Sequence, residues 1–239
     1  MTPWSDATVA GYGIDAEASR MNTANVKSFE NKRWISFRQS VEFRHTAALE
    51  LIGESPVLDI GCGDGLLMDL LRDKGIEVVG VDISDEAVKT CVARGSHAEV
   101  IESAETLPFP DASFEHVVLL DILEHVYNPV SILAEARRVS KNYVIIGVPN
   151  FSSLPARLQM LAGKVPENNR PKKGHIYWFN WQVLSNLVRQ CRLRVTAVRI
   201  NAPWERMPII GLFMHALARR FPNLFALSFV IMCHKEPHA

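Results

Sequence analysis

The sequence predicts an α/β fold built on a doubly wound parallel sheet, and three observations support this fold class. Short apolar runs, typical of buried strands, alternate with helix-like segments between Pro56 and Asn150. A glycine-rich turn, Gly61 to Gly65, directly follows the first apolar run. Of the 239 residues, 48% are apolar, which suffices for one large core. Alternating strands and helices form parallel sheets with right-handed crossovers.

The chain divides into an N-terminal segment, residues 1–50, and one domain, residues 51–239. We predict a flexible N-terminus and a helical cap for the first segment, because apolar residues recur at mostly helical spacings from Asn25 to Leu51. In the domain, the alternation is interrupted at about 151–179 and 201–222. Insertions there are expected over the carboxyl edge of the sheet, where open α/β sheets bind ligands.

The strands and helices of the domain are predicted from apolar runs and from helix signals. The fourth strand is almost continuously apolar, which indicates burial on both faces. The predicted strands are PVLDI, EVVGV, HAEVI, FEHVVLLD, YVIIGV, LRVTAVRI and LSFVIMCHK. Helices are predicted for Leu66–Lys74, after Ser84 as the N-cap, for Val130–Val139, after Asn150 and from Trp181.

Composition and charge limit the functional classes. The 26 basic and 26 acidic residues balance, so net charge gives no indication of a nucleic-acid partner. The four cysteines form no CxxC pair, which is typical of a reducing compartment. The longest apolar run, LFALSFVIMC, is shorter than the ~20 residues of a membrane helix. We expect a cytoplasmic protein without a transmembrane segment.

The glycine turn is incompatible with common phosphate-binding motifs. A P-loop requires GxxxxGK[ST], and no lysine lies near the turn. A dinucleotide turn, GxGxxG, would need a small residue where Leu66 stands. In that turn, Asp59 and Asp64 would repel a pyrophosphate.

A ligand with a cationic end fits the turn better. Asp59 can pair with an ammonium group, and the glycines allow the backbone to approach the ligand closely. Asp82 ends the second strand about 20 residues after Gly61, where an acidic residue can bind a ribose diol. S-adenosylmethionine carries a sulfonium, an ammonium and a ribose, so it is the predicted cofactor.

Four segments, VLDIGCGDG, VVGVDIS, AETLPFPDASFEHVV and LLDILEHVYNP, resemble motifs of the class I S-adenosylmethionine-dependent methyltransferases. The resemblance spans about Val57 to Lys235. It implies a Rossmann-like sheet of seven strands with the last strand antiparallel, capped by the insertions. Periodicity alone indicates only the alternation.

The resemblance also implies which residues contact the cofactor. Many relatives carry an aspartate where this chain has Ser103, so Glu102 or Glu105 can replace that contact to the adenine. For the methionine moiety it implies Asp59, Gly61, Cys62 and Gly63. For the ribose, the adenine and the sulfonium end it implies Asp82, Ile83, Ser103, Ala104 and Asp121.

Narrower resemblances point to two different functions. CVARG and VPNFSSLPARLQMLAGKVP are similar to the methionine-biosynthesis protein MetW group, and DILEHV is similar to quinone-biosynthesis O-methyltransferases. The prediction is methyl transfer to a small-molecule acceptor, at oxygen rather than at nitrogen or carbon. The alternative is a non-catalytic partner or regulator of a biosynthetic enzyme. A dinucleotide oxidoreductase is a third hypothesis.

Two histidines, His125 and His175, are the candidate catalytic bases, because a hydroxyl acceptor must lose its proton near neutral pH. A structural role is the alternative for each. Asp121 and Glu124, with these histidines, resemble the metal-binding set of small-RNA 2′-O-methyltransferases. The favoured prediction nevertheless includes no metal, and a divalent ion is the alternative.

The segment 205–222 contains an amphipathic stretch, PIIGLFMHALARRF, that ends in Arg219 and Arg220. Packing on its own domain is the favoured interpretation. Association with a membrane surface or with a protein partner is the alternative.

Overall fold

The computed structural model describes residues 16–170, 173–204 and 207–236, with side chains from residue 26 onward. Within these ranges, seven strands form a single mixed sheet with the order β3-β2-β1-β4-β5-β7-β6. The strands are β1 (Val57–Ile60), β2 (Val78–Asp82), β3 (His97–Val100), β4 (Phe114–Leu120), β5 (Ser140–Pro149), β6 (Leu193–Asn201) and β7 (Ser228–Lys235).

Helices flank the sheet, and their ends follow capping rules. Ser84 accepts a hydrogen bond from the amide of Ala87 and so caps α4, as predicted. The helices are α1 (Ala16–Ser36), α2 (Phe43–Leu51), α3 (Leu66–Arg72), α4 (Asp85–Ala93), α5 (Pro129–Val139), α6 (Leu154–Leu161), α7 (Trp181–Gln190), α8 (Pro208–Arg220) and α9 (Pro222–Phe225). Two 3₁₀ turns occupy Leu123–His125 and Glu167–Asn169.

The sheet topology confirms the predicted fold class. β1 pairs in parallel with β2 and β4, and β4 pairs in parallel with β5. β7 lies between β5 and β6 and is antiparallel to both. This arrangement is the seven-stranded sheet that the methyltransferase resemblance implies. It departs from the 3-2-1-4-5-6 order of dinucleotide-binding sheets.

Both faces of the sheet are covered by apolar clusters. Successive residues of β1 point to opposite faces, so Val57 packs with α2 and α3 while Leu58 packs with α5 and α7. The central strands β1 and β4 are almost entirely buried, as their apolar sequences predict. No helix among the described residues has the length and apolar character needed to cross a bilayer.

The N-terminal segment differs from the predicted continuous helical pattern. It forms α1 and α2, and residues 37–42 between them have no regular secondary structure. Asp64 accepts a hydrogen bond from the amide of Gln39 at 3.1 Å, which holds this connection against the glycine turn. The predicted flexible stretch extends to about Arg20. Residues 1–15 lie outside the described residues, whereas residues 16–20 form the start of α1.

Candidate active site

A cavity of about 1810 Å³ lies at the carboxyl ends of the parallel strands. Its walls come from α1, α2, the ends of β1, β2 and β4, and both insertions. The strand order reverses between β1 and β4 at this edge. Open α/β sheets bind ligands at such a point, so this cavity is the candidate active site.

The glycine turn after β1 is fixed between β2 and α1. Gly61 and Gly63 have φ of 72° and 56°, a left-handed conformation that favours glycine. A Cβ atom on Gly63 would lie 2.4 Å from the Trp34 ring, so α1 packs directly on the turn. The Gly63 amide donates a hydrogen bond to Asp82 Oδ2 at 2.9 Å. The turn and the end of β2 therefore form one unit.

Asp82 lies on the cavity wall beside Ile83, where the sequence predicts the ribose site. One carboxylate oxygen accepts the hydrogen bond from the Gly63 amide, and the other accepts a hydrogen bond from the Ser84 amide at 2.8 Å. Each carboxylate oxygen has a second lone pair. The side chain can therefore accept two further hydrogen bonds from a diol.

Asp59 is buried next to the wall but does not line the cavity. Burial, with a smaller contribution from the Asp82 charge, raises the pKa of Asp59 to about 8. A bound cation would favour the charged carboxylate. The pairing of Asp59 with an ammonium group stays a prediction.

Cys62 has its side chain in a buried apolar cluster, together with Met68 and Cys91. The predicted contact between Cys62 and the cofactor therefore depends on its backbone. Gly63, which lies under Trp34, does not line the cavity either. The predicted residues that do line it are Gly61, Asp82, Ile83, Ser103, Ala104, Asp121, His125 and His175.

The loop after β3 forms the predicted adenine side of the cavity. Ser103 and Ala104 line it, and so do both candidate replacements for the missing aspartate, Glu102 and Glu105. The Ser103 hydroxyl accepts a hydrogen bond from the Glu105 amide at 3.1 Å and stabilises the loop.

Asp121 forms an ion pair that the sequence did not suggest. Its carboxylate lies 3.1 Å from the Arg44 guanidinium, and Arg44 also pairs with Glu42. Burial raises the pKa of Asp121, although Arg44 opposes this shift. Asp121 and Arg44 together join the end of β4 to α2 across the cavity.

Glu124, His125 and His175 meet at another part of the cavity wall. The first two lie in the 3₁₀ turn after β4, and His175 lies in the insertion after β5. The two imidazole rings are 4.8 Å apart and nearly perpendicular, at 77°. The Glu124 carbonyl accepts hydrogen bonds from Ile176 and Tyr177, which fixes the insertion against the turn.

Burial keeps both candidate histidine bases neutral. It lowers the pKa of His125 to about 4, with a contribution from His175, and it also lowers the pKa of His175. A base with a pKa of about 4 removes a hydroxyl proton inefficiently at neutral pH. The geometry brings both histidines to the cavity, but the lowered pKa of His125 favours another role for this residue.

Several cavity residues from the N-terminal segment were absent from the sequence prediction. Glu30 and Arg33 on α1 line the cavity with Trp34, and Arg44 lines it from α2. Trp34 is only 5% exposed, although it precedes the domain. The helical spacing of Trp34 was the only sequence signal, and it does not indicate what this helix covers.

The second insertion forms α8, whose two faces differ. Gly211, Met214 and Ala218 are buried and pack on their own domain, in agreement with the favoured interpretation. Leu212 and Phe213 on the other face are 76% and 63% exposed. Residues 205 and 206 lie outside the described residues.

Comparison with protein families identifies the chain. The sequence profile described as "Methionine biosynthesis protein MetW" matches residues 42–194, which is more than half of the chain. The chain belongs to the MetW family. Its N-terminal boundary in this comparison, residue 42, excludes α1.

Relatives of this MetW-family protein carry two kinds of name. A ubiquinone biosynthesis O-methyltransferase of Paracidovorax citrulli is 28% identical over 175 residues, 69% of each chain. Another, from Xanthomonas oryzae pv. oryzae, is 34% identical over 102 residues, which span 40% of this chain and 42% of the relative. The bifunctional methionine biosynthesis protein MetXA/MetW of Rhodopirellula baltica is 32% identical over 149 residues, 58% of this chain and 23% of the relative.

Solved structures show the same fold. A SAM-dependent methyltransferase of Thermotoga maritima has a TM-score of 0.61 and 19% identity, covering 91% of this MetW-family chain and 97% of its own. The magnesium protoporphyrin IX methyltransferase of Synechocystis, solved with bound SAH, has a TM-score of 0.60 and 14% identity, covering 90% and 100%. At these identities the likeness establishes the fold.

Proposed function

We propose that this protein is an S-adenosylmethionine-dependent methyltransferase that methylates an oxygen atom of a small molecule. The proposal rests on one observation, that a single cavity is lined by two separate groups of residues. Asp82 and Ile83 lie on one side of it, and Glu124, His125 and His175 line another part. The names of the ubiquinone O-methyltransferase relatives support the choice of oxygen.

The residues at the strand ends fit the cofactor. Asp82 is placed to accept two hydroxyl hydrogen bonds, and Ile83 offers an apolar surface beside it. Asp59 provides a carboxyl group whose charged form a bound cation would stabilise. When bound, S-adenosylmethionine supplies an electrophilic methyl group.

The cavity has room for an acceptor in addition to the cofactor. Its volume of about 1810 Å³ exceeds the ~300–1,000 Å³ of ordinary ligand pockets. α1 covers the cavity at the glycine turn, and its Trp34 excludes water from that side. Methyl transfer depends mainly on alignment of the reacting atoms and on exclusion of water, which such a covered cavity provides.

Turnover tests this proposal. The purified protein is incubated with S-adenosylmethionine and a panel of phenols, diols, carboxylic acids and amines, and release of S-adenosylhomocysteine is measured. At least one oxygen acceptor should give saturable release, and Asp82→Asn should reduce it at limiting cofactor. Turnover with amine acceptors alone would contradict methylation at oxygen.

A non-catalytic partner of a biosynthetic enzyme is the second candidate function. The exposed apolar face of α8 and the MetXA/MetW fusion in Rhodopirellula baltica favour it. In this case, a biosynthetic enzyme would co-purify with the protein and S-adenosylhomocysteine would not be released. Leu212→Ser should then abolish co-purification without loss of folding, because Leu212 is exposed.

A further inference from the structure

The three side chains Glu124, His125 and His175 converge on one part of the cavity wall and take no part in the Asp121–Arg44 ion pair. One ligand-type atom from each residue lies within 4.8 Å of the other two. These atoms belong to a carboxylate and two imidazoles. The three residues come from two segments of the chain about 50 residues apart.

Glu124 is buried without a compensating partner. It is 1% exposed, and neither carboxylate oxygen has a hydrogen-bond partner among the described residues. His175 Nε2 is 3.9 Å from Glu124 Oε1, which is too long for a hydrogen bond. Burial of a carboxylate in this way is costly unless a cation or a proton neutralises it.

Each histidine ring is held in its orientation by a hydrogen bond to a backbone group. His125 Nδ1 lies 3.2 Å from the Gly174 carbonyl, which can only accept, so Nδ1 carries the proton. Nε2 of His125 therefore has a free lone pair. His175 makes a backbone hydrogen bond to Asn168. Metal-binding histidines are usually held by such a hydrogen bond from the other ring nitrogen.

We propose that Glu124, His125 and His175 bind one divalent transition-metal ion, which holds the hydroxyl oxygen of the acceptor. Two imidazoles and one carboxylate are a typical ligand set for Zn²⁺, Fe²⁺ or Co²⁺, whereas Mg²⁺ prefers oxygen ligands. Metal–ligand distances of ~2.0–2.2 Å require the three atoms to be about 3–3.5 Å apart. Side-chain rotations that shorten the distances between the three ligand atoms by ~1 Å would satisfy this requirement.

Three ligands leave coordination positions for the acceptor. Asp121 does not belong to the set, because its carboxylate is paired with Arg44. A hydroxyl bound to the metal has a lowered pKa, so its O–H bond breaks with the electron pair left on oxygen and the proton passes to solvent. This part of the inference rests on the proposed function. Metal binding itself does not.

Cobalt titration tests the site without cofactor or acceptor. Co²⁺ is added to chelator-treated, metal-free protein, and visible absorption and isothermal titration calorimetry follow binding. One Co²⁺ per chain with visible bands is expected. His125→Ala, His175→Ala and Glu124→Gln should each weaken binding at least ~10-fold. Circular dichroism shows whether each variant is folded, and Glu124→Gln preserves side-chain volume.

His97→Ala is the matched control, since His97 is exposed on β3 beside Glu99. It should leave Co²⁺ affinity unchanged. Failure of wild-type protein to bind Co²⁺, or equal affinity in wild type and in the three ligand variants, would overturn the site. Retained S-adenosylmethionine binding in that case would leave the proposed function intact. Co²⁺ binding without S-adenosylmethionine binding would contradict only the proposed function.

Discussion

Two carboxylates next to the glycine turn have different physical roles. Asp82 lies on the cavity wall, where burial raises its pKa and hydrogen bonds from two backbone amides partly offset this shift. Asp59 is buried one strand away, and its charged form has no such compensation. The free protein therefore holds Asp59 in an unfavourable environment that a cationic ligand would relieve.

Replacement of Asp59 by asparagine should change the pH dependence of stability. The folded pKa of about 8 lies above the unfolded value near 3.9, so the folded state binds more protons between these pH values. The free energy of unfolding should therefore fall as pH rises from 5 to 8, by up to ~1.4 kcal/mol per pH unit from this group. Asp59→Asn removes this contribution and should be more stable than wild type at pH 8.

Urea unfolding of the cofactor-free proteins at pH 5, 6, 7 and 8 measures this difference. Asp73→Asn, at an exposed site after α3, is the control and should follow the wild-type profile. Parallel profiles for Asp59→Asn and wild type would mean that Asp59 does not titrate as described.

The sequence predicted candidate cofactor residues that are close together in the chain, and the structure places Gly61 and Asp82 on the cavity wall. The glycine turn and Asp82 belong to one strand–helix–strand unit, so their spacing reflects their geometry. The sequence did not predict that Arg44 and Trp34 line the cavity, because a helical pattern does not indicate what an arginine or a tryptophan in it contacts. The orientation of Glu124 into the cavity could not be predicted either, since it depends on backbone hydrogen bonds to the distant Ile176 and Tyr177.

At the scale of elements, α1 is attached to the domain through the glycine turn and through α4. Trp34 packs against Gly63, while Lys27 and Asn31 bind Asp85 at the start of α4. Strands and helices of the domain were predicted well, because their periodicity reflects local burial. The break between α1 and α2 was missed, because it depends on the hydrogen bond between Gln39 and Asp64.

Alanine substitutions at two glycines distinguish the cost of disturbing the packing of Trp34 on the glycine turn from the cost of backbone strain. Gly63 and Gly75 both have positive φ, so alanine is strained at either position. At Gly75 nothing lies within 4 Å of a Cβ atom, whereas at Gly63 the Trp34 ring lies at 2.4 Å. Gly75→Ala should cost about 1 kcal/mol and Gly63→Ala at least twice that. Urea unfolding gives both values, and equal costs would contradict the close packing of α1.

At the scale of the molecule, one cavity collects residues from the whole chain. The N-terminal helices, the ends of several strands and both insertions surround it, although they are far apart in sequence. The antiparallel direction of β7 followed from the family resemblance alone, because an apolar run does not indicate the direction of its strand. The part of the cavity that the insertions line was not predictable, since their geometry depends on tertiary contacts.

Calorimetric titration of the metal-free protein with S-adenosylmethionine tests the central claim most directly. We predict saturable binding of one molecule per chain. Asp82→Asn should weaken it ~10-fold or more, because hydrogen bonds to a charged carboxylate contribute roughly 1.5–3 kcal/mol each. Asp73→Asn should leave it unchanged. Absence of saturable S-adenosylmethionine binding by folded wild-type protein, or equal affinity in Asp82→Asn, would contradict this account.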